Sequence, residues 1–175
     1  MHDRAIYLVS GIPGAGKTTV ARLLAQRFER GVHIEADLVQ QMIVVGSVWP
    51  EWEPREEAMR QFELRRRNVS MLADSFFDAG FTPVIDDIVI GPRIDEYVAD
   101  LRGRPLLFVM LVPRPDVVRK REMSRKKHVF DRWAHLDDVM RRETPRLGLW
   151  LDTSAQTLEE TVEEILRRAA EAEIG

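Results

Sequence analysis

The sequence predicts an α/β fold, a three-layer α/β/α sandwich in which helices cover both faces of a parallel sheet. Short apolar runs alternate with longer amphipathic stretches along the chain, and this alternation is typical of parallel sheets. The runs are apolar at consecutive positions, as expected of strands that are buried on both faces. A glycine-rich stretch follows the first run directly, where such folds turn from a strand into a helix.

Five runs rich in leucine or β-branched residues are predicted as strands. They are Ala5 to Ser10, Val32 to Ala36, Thr82 to Ile88, Leu106 to Val112, and Leu149 to Asp152. Apolar residues spaced three or four apart predict helices at Lys17 to Arg30, Glu56 to Ala79 and Thr157 to Ala172. The last helix opens with TLEE, a capping-box pattern. The stretch Ile43 to Pro54 fits neither pattern, and we predict a loop there.

Length and composition predict a single domain over residues 1–175. The chain is 45% hydrophobic and 31% charged, as in ordinary globular proteins. It contains no cysteine, which excludes disulfides, thiolate metal sites and cysteine nucleophiles. No apolar run approaches the roughly 18 residues of a membrane-spanning helix, and the first residues lack a signal-peptide layout. A cytoplasmic protein with no membrane partner is therefore expected.

The charge distribution is uneven. The net charge is −3, which argues against the chain as a whole binding nucleic acid. Between Arg114 and Arg132, however, eight Lys or Arg stand against three Asp or Glu, a local net charge of +5. We predict that this basic segment, about residues 114–135, folds as a lid over a site rather than as a solvated helix face.

The stretch GIPGAGKTT, Gly11 to Thr19, matches the phosphate-loop pattern G-x-x-x-x-G-K-[ST] between a predicted strand and a predicted helix. Glycines let backbone N–H groups approach phosphate oxygens closely. Lys17 is expected to reach the β and γ phosphates, Thr18 to ligate Mg²⁺, and Thr19 to touch the α phosphate. The predicted ATP-binding residues of the loop are Gly11, Pro13, Gly14, Ala15, Gly16, Lys17, Thr18 and Thr19.

Other features narrow the class of nucleotide-binding protein. GTPases read guanine with an N-K-x-D motif, but the only asparagine of the chain is Asn68, within a predicted helix. Large ATPase modules need a longer chain with an added lid domain. A compact kinase that uses ATP and Mg²⁺ fits the size best.

Such a kinase needs a group that accepts the proton of the attacking hydroxyl. Asp37 follows the second predicted strand, at the rim where parallel sheets bind ligands. This position favours a catalytic base over the alternative, a cap on a helix that begins at Leu38. Glu35 lies two residues earlier and is a weaker candidate.

Asp86 and Asp87 follow an apolar run, the arrangement in which a carboxylate holds the Mg²⁺ shell. Adjacent residues of a strand point to opposite faces. We therefore expect one of the two to serve the metal and the other to meet the substrate or cap a turn, and the sequence does not choose between them.

Within the lid, Arg125 is predicted to stabilise the transferring phosphoryl group and Arg121 to clamp the nucleotide, with Arg132 as a further candidate. His128 and His135 are expected on the lid surface, because phosphoryl transfer needs little proton chemistry beyond the base.

Two further groups of residues have less specific signals. Arg65 to Arg67 form a second basic cluster on the long helix, and at least one of them must face solvent. Trp49 and Trp52 are expected to pack at the base of a loop rather than to stack on a substrate.

Taken together, GIPGAGKTT, Asp37, VIDDIVIG (Val84 to Gly91) and the closing LWLDTSAQTLEETVEEI resemble chloramphenicol phosphotransferase-like P-loop kinases, relatives of gluconate and shikimate kinases and of polynucleotide kinase modules. The resemblance implies a five-stranded parallel sheet of order 2-3-1-4-5, ATP and Mg²⁺ as cofactors, and Asp37 as the base. It also implies an adenine-side turn at Asp152, Thr153 and Ser154. Residues 38–60 match no substrate pocket of that group.

The predicted function is ATP-dependent transfer of the γ-phosphoryl group to a hydroxyl of a small molecule, such as an antibiotic, a sugar or a related metabolite. Two alternatives remain at this point. One is a polynucleotide 5′-hydroxyl kinase that uses Arg65 to Arg67 and the tryptophans, and the other is a nucleotide-dependent switch that transfers nothing.

Overall fold

The computed structural model describes residues 4–50, 54–124 and 130–175. The strands are β1 (Ile6–Gly11), β2 (Gly31–Glu35), β3 (Thr82–Asp86), β4 (Leu106–Leu111), β5 (Leu149–Leu151) and β6 (Glu173–Ile174). The helices are α1 (Lys17–Ala25), α2 (Ala36–Gln41), α3 (Arg55–Asp78), α4 (Arg93–Asp100), α5 (Pro115–Ser124), α6 (Phe130–Glu143) and α7 (Leu158–Arg167), followed by a 3₁₀ turn at Ala169–Ala172.

The sheet confirms the predicted fold class. Strands β1 to β5 are parallel and lie in the order β2-β3-β1-β4-β5. The predicted bounds of these strands agree with the observed ones to within two residues. All six residues of β1 and all six of β4 are buried, as the consecutive apolar runs predicted.

The edge strand β6 was not predicted. It pairs antiparallel with β4, joining Leu106 to Ile174 and Leu107 to Glu173. Because β5 is short and pairs with Val109 to Leu111, it leaves the first half of β4 uncovered, and β6 covers that half. The predicted helix Thr157 to Ala172 is therefore too long: α7 ends at Arg167, and the chain turns to reach the sheet.

The first helix is also shorter than predicted, since α1 ends at Ala25 and not at Arg30. Gly31, which opens β2, lies directly against the end of this helix. A Cβ at position 31 would lie 1.8 Å from the Ala25 carbonyl oxygen, so glycine alone permits this contact. The tight turn lets β2 begin beside the helix it follows.

Two groups of helices cover the central strands. Helix α1 packs on β3 and against α7, and α3 packs on β2 and β3 and against α2 and α4. The predicted capping box of α7 is present, with Thr157 accepting from the Glu160 N–H and Glu160 accepting from the Thr157 N–H. Within the described ranges, none of the helices combines the length and the apolar character that crossing a membrane requires.

The described residues 42–50, which follow α2, form a loop. The Gln61 side chain on α3 donates to the Gly46 carbonyl at 2.8 Å and accepts from the Val48 N–H at 2.7 Å. Gln40 on α2 donates to the same Gln61 side chain at 3.2 Å. These bonds hold the loop beside the carboxyl ends of the strands, where the site lies.

Candidate active site

The phosphate loop links β1 to α1, as predicted. Gly11 has φ 148°, and a Cβ there would lie 2.7 Å from the Leu111 carbonyl oxygen on β4, which requires glycine. Gly14 and Gly16 also have positive φ, 82° and 97°, and Gly16 is the N-cap of α1. The first turn of α1 therefore offers free backbone N–H groups and a positive helix end to an anion.

Lys17 lies at the start of α1 and lines the cleft described below. Its ammonium donates to the Ile12 carbonyl of the loop at 3.2 Å. Burial lowers the pKa of Lys17, and the carboxylates of Asp86, Asp37 and Asp87 oppose that shift. The Lys17 cation therefore lies in the cleft within the electrostatic influence of three carboxylates.

Asp86 faces the phosphate loop. Its Oδ2 accepts from the Thr18 hydroxyl at 2.6 Å, and its Oδ1 lies 2.7 Å from His33 Nε2 on the neighbouring strand β2. The Asp86 residue is 4% exposed, so its orientation is fixed by these contacts. The hydroxyl and the carboxylate are hard oxygen donors of the kind that Mg²⁺ prefers, and the two side chains fit such an ion.

Asp87 turns to a different set of partners. Its Oδ1 accepts from Arg65 at 2.8 Å and from the Ile88 N–H at 2.8 Å, and its Oδ2 accepts from the Tyr97 hydroxyl at 2.7 Å. Burial and the Asp87 carboxylate together raise the pKa of Tyr97 well above its ordinary value, so the phenol remains a donor. The two adjacent acids point to opposite sides, as predicted.

Asp37 lies in the first turn of α2, which begins at Ala36 and not at Leu38. Arg65 on α3 bridges this residue to Asp87, because its Nη1 lies 3.2 Å from Asp37 Oδ1 while its Nη2 binds Asp87. The Arg65 side chain is 4% exposed, whereas that of Asp37 is 56% exposed at the mouth of the cleft. Partial burial raises the pKa of Asp37, and Arg65 opposes this shift.

These side chains line one cleft of about 1070 Å³. We call the part formed by the loop, Lys17, Thr18 and Asp86 the phosphate side. We call the part lined by Asp37, Trp49, Phe62, Arg65 and Arg93 the acceptor side. Glu35 also lines the cleft, and so does His135, whose side chain is exposed as predicted.

The structure adds acceptor-side residues that the sequence did not identify. The guanidinium carbon of Arg93 lies 3.9 Å from the centroid of the Phe62 ring, and that of Arg65 lies 4.5 Å from it. Trp49, predicted to pack at the base of its loop, lines the cleft. Neither Arg93 nor Tyr97 had a local signal, since Phe62, the partner of Arg93, lies on α3, and Asp87, the partner of Tyr97, follows β3.

His33 was missed for another reason. It precedes Glu35 by two positions in β2, so both side chains point to the same face of the sheet. The two-residue spacing of His33 and Glu35 was visible in the sequence and placed both side chains on one face of the sheet. The contact between His33 and Asp86 was not visible, because it depends on the pairing of β2 with β3.

The predicted nucleotide-side residues lie together. Arg121 on α5 lines the cleft and donates to the Thr153 carbonyl at 2.8 Å. Ser154 accepts from the Arg114 N–H at 2.7 Å, and its hydroxyl and N–H both donate to Asp152. The hydrogen bonds from Ser154 lower the pKa of Asp152. The predicted adenine-side turn, Asp152 to Ser154, is not among the described residues that line the cleft.

Some predicted residues fall outside the described part of the chain. Arg125 and His128 belong to residues 125–129, and Trp52 belongs to residues 51–53. Arg132 belongs to α6, but its side chain is not among those described.

The second basic cluster is largely engaged within the protein. Arg65 is buried in the contacts given above, and Arg66 binds Asp100 and Glu96 with its side chain 13% exposed. Arg67 is exposed, which confirms that one of the three faces solvent.

Comparison with protein families gives one match. Residues 8–144 match the family described as AAA domain. A UPF0200 protein of Aeropyrum pernix is 28% identical over 127 residues, which cover 71% of this chain and 66% of that protein. The match thus spans slightly less than two thirds of that relative.

Similar solved structures include two kinases. A sugar kinase from Janibacter sp. HTCC2649 matches with a TM-score of 0.69 and 20% identity, over 97% of this chain and 96% of that one. The APS kinase of Mycobacterium tuberculosis, in complex with AMPPNP and APS, matches with a TM-score of 0.67 and 16% identity, over 94% and 96% of the two chains. The fold is therefore that of P-loop kinases. The resemblance to chloramphenicol phosphotransferase-like kinases stays a prediction.

Proposed function

The chain belongs to the AAA domain family, and from this premise and the cleft we propose that it is an ATP-dependent kinase that phosphorylates a hydroxyl of a small molecule. One observation carries the proposal: the phosphate loop and the carboxylate of Asp37 line the same cleft, with Arg65 holding that carboxylate in place.

The chemistry assigned to these residues is a single displacement. Asp37 takes the proton of the acceptor hydroxyl, whose oxygen forms a bond to the γ phosphorus. The bond from that phosphorus to the β–γ bridging oxygen breaks, and ADP leaves. Lys17 and the loop amides hold the β and γ phosphates and stabilise their charge during transfer. A Mg²⁺ ion held by Thr18 and Asp86 would neutralise further phosphate charge.

The remaining predicted roles go with this proposal. Arg121 lies beside Thr153 at the nucleotide end and is assigned to clamp the nucleotide. Arg125 is assigned to the transferring phosphoryl group. Of the two adjacent carboxylates we assign the metal to Asp86, because Asp87 already accepts three hydrogen bonds on the acceptor side.

The contacts of the basic cluster weigh against the polynucleotide alternative. Arg65 to Arg67 and the tryptophans were the residues expected to hold a strand end. Arg65 and Arg66 are bound to carboxylates of the protein, and Arg67 is the one of the three that is exposed. The match to a sugar kinase over almost the full length of both chains favours a small acceptor of the size that this cleft admits.

An ADP-release assay tests the proposal. We expect at least one compound in a panel of sugars, phenicols, aminoglycosides, nucleosides and 5′-hydroxyl oligonucleotides to stimulate ADP formation. Asp37→Asn should keep nucleotide affinity and lower the transfer rate by about 100-fold or more, because general base catalysis contributes about 10² to 10⁴. Asp138→Asn is the matched control, since Asp138 on α6 is a 72% exposed carboxylate.

Two outcomes would contradict the proposal. Transfer by Asp37→Asn at the parent rate would remove Asp37 as the base. Steady ATP hydrolysis that no compound in the panel stimulates would instead favour a nucleotide-dependent switch.

A further inference from the structure

The acceptor side of the cleft brings two guanidinium groups to one aromatic ring. Arg65 and Arg93 both line the cleft and both lie against Phe62. A guanidinium that is partly withdrawn from water is costly unless an anion accompanies it, so the partners of each arginine indicate what the acceptor side can bind.

The charge of Arg65 is balanced within the protein. It is buried between Asp37 and Asp87, at 3.2 Å and 2.8 Å, and these two carboxylates more than balance its charge. Its Nε, however, is buried and has no hydrogen-bond partner among the described residues. Arg65 therefore has one N–H donor that the protein leaves unused.

Arg93 is different. It is half-buried at the start of α4 with its guanidinium over the Phe62 ring, and within the described residues it forms no ion pair or hydrogen bond. A guanidinium carries its N–H donors in its plane, so contact of one face with a ring leaves those donors available.

The surroundings of Arg93 also disfavour the charged form of its guanidinium. Burial is the largest cause that lowers the pKa of Arg93, and the charges of Arg65 and Arg55 lower it further. Of the carboxylates that oppose this shift, Glu96 binds Arg66 and Asp87 binds Arg65. Within the described residues no carboxylate pairs with Arg93 itself, so an anion bound at this point would balance its charge.

We propose that the acceptor carries an anionic group, a carboxylate, sulfate or phosphate, which Arg93 binds over Phe62. This inference rests on the proposed kinase function and names its substrate class. The acceptor is then a small hydroxyl compound with its alcohol at Asp37 and its charged end at Arg93. Bidentate binding by a guanidinium suits each of the three anions.

The first experiment tests anion binding without any turnover. The protein is saturated with AMPPNP and Mg²⁺, so that the phosphate loop is filled, and inorganic sulfate is titrated by calorimetry against chloride at equal ionic strength. We expect saturable sulfate binding that Arg93→Gln weakens about tenfold or more, since hydrogen bonds to charged groups are the strong ones. Arg167→Gln, at a 69% exposed arginine on α7, should bind sulfate like the parent.

Sulfate binding that is equal in the parent and in Arg93→Gln, or no saturable binding at all, would overturn the proposal. Urea unfolding of each variant shows whether a loss of binding reflects a loss of folded protein, and Arg93→Lys gives a second variant that keeps the charge but not the fork of donors.

The second experiment compares acceptors in matched pairs, a polyol and the corresponding polyol carboxylate, such as sorbitol and gluconate, in the ADP-release assay. The charged member of a pair should have the higher kcat/KM by about tenfold or more, and Arg93→Gln should raise its KM much more than it lowers kcat, because Arg93 binds a remote group. Preference for the neutral member would overturn the proposal.

The two experiments separate this inference from the kinase proposal. If sulfate binding depended on Arg93 but no acceptor stimulated ADP release, the kinase proposal would be wrong and the anion-binding site would still be supported. If a 5′-hydroxyl oligonucleotide were the best acceptor, with activity falling steeply with salt, the small anionic acceptor would be wrong.

Discussion

The phosphate side and the acceptor side of the cleft are built in opposite ways. The phosphate side comes mostly from one stretch, Gly11 to Thr19, which offers backbone N–H groups and the start of a helix to an anion. The acceptor side is assembled from side chains of α2, α3, α4 and the end of β3, joined by Arg65. A site made of backbone depends on local conformation, whereas a site made of paired side chains depends on the whole fold.

The boundary between the two sides runs between two adjacent residues. Asp86 accepts from Thr18 on the phosphate side, and Asp87 accepts from Arg65 and Tyr97 on the acceptor side. The alternation of side chains along a strand separates them, so that one Asp-Asp pair serves both sides.

The largest expected effect comes from changing these two residues in turn. Asp86→Asn should lower kcat by about 100-fold or more, because a Mg²⁺ ion supplies several kcal/mol to phosphoryl transfer. Asp87→Asn should lower the free energy of unfolding by about 3 kcal/mol, because it leaves the buried Arg65 with the more exposed carboxylate of Asp37 as its charged partner. Activity against Mg²⁺ concentration and urea unfolding measure the two effects.

Each variant is the control for the other. If Asp86→Asn unfolded at much lower urea while Asp87→Asn lost its response to Mg²⁺, the assignment of the two sides would be reversed. Equal behaviour of the two variants would show that the boundary between them has no functional meaning.

The contrast between the phosphate side and the acceptor side also explains which parts of the structure could be predicted from the sequence. The phosphate loop and the five parallel strands were predicted because their signals are contiguous, and the opposite orientation of Asp86 and Asp87 followed from strand periodicity. The contact of Arg65 with both Asp37 and Asp87 could not be predicted, since it joins residues from 37 to 87 through three elements. Strand β6 was missed because its two residues carry no pattern of their own.

A smaller effect is expected in the response to pH. Asp37 must be deprotonated to accept a proton, so the transfer rate should fall as the pH falls through its pKa in the folded protein. Because burial raises the pKa of Asp37, this fall should begin at a higher pH than an ordinary aspartate would give. AMPPNP affinity, which depends on the phosphate side, should change less over the same range.

The residual rate of Asp37→Asn, followed over the same pH series, is the control. If the rate of Asp37→Asn fell over the same pH range as the rate of the parent, the group that titrates would not be Asp37.

The smallest effect separates the two tyrosines of the chain, both of which are buried. The Tyr97 hydroxyl donates to Asp87, so Tyr97→Phe should cost about 1.5 to 3 kcal/mol, the range for hydrogen bonds to charged groups. The Tyr7 hydroxyl on β1 has no partner among the described residues, so Tyr7→Phe should be neutral or stabilise the protein by about 1 kcal/mol.

The pH dependence of unfolding distinguishes a buried Tyr7 from one that water reaches. Burial raises the pKa of Tyr7 to about 12, from 10.0 in an ordinary tyrosine. A group whose pKa is raised by folding contributes stability below its unfolded pKa and loses that contribution as the pH rises toward the folded value. The parent should therefore lose stability above pH 10 relative to Tyr7→Phe, as measured by urea unfolding. If the two proteins kept the same difference in stability from neutral pH to above pH 10, the Tyr7 hydroxyl would be solvated rather than buried without a partner.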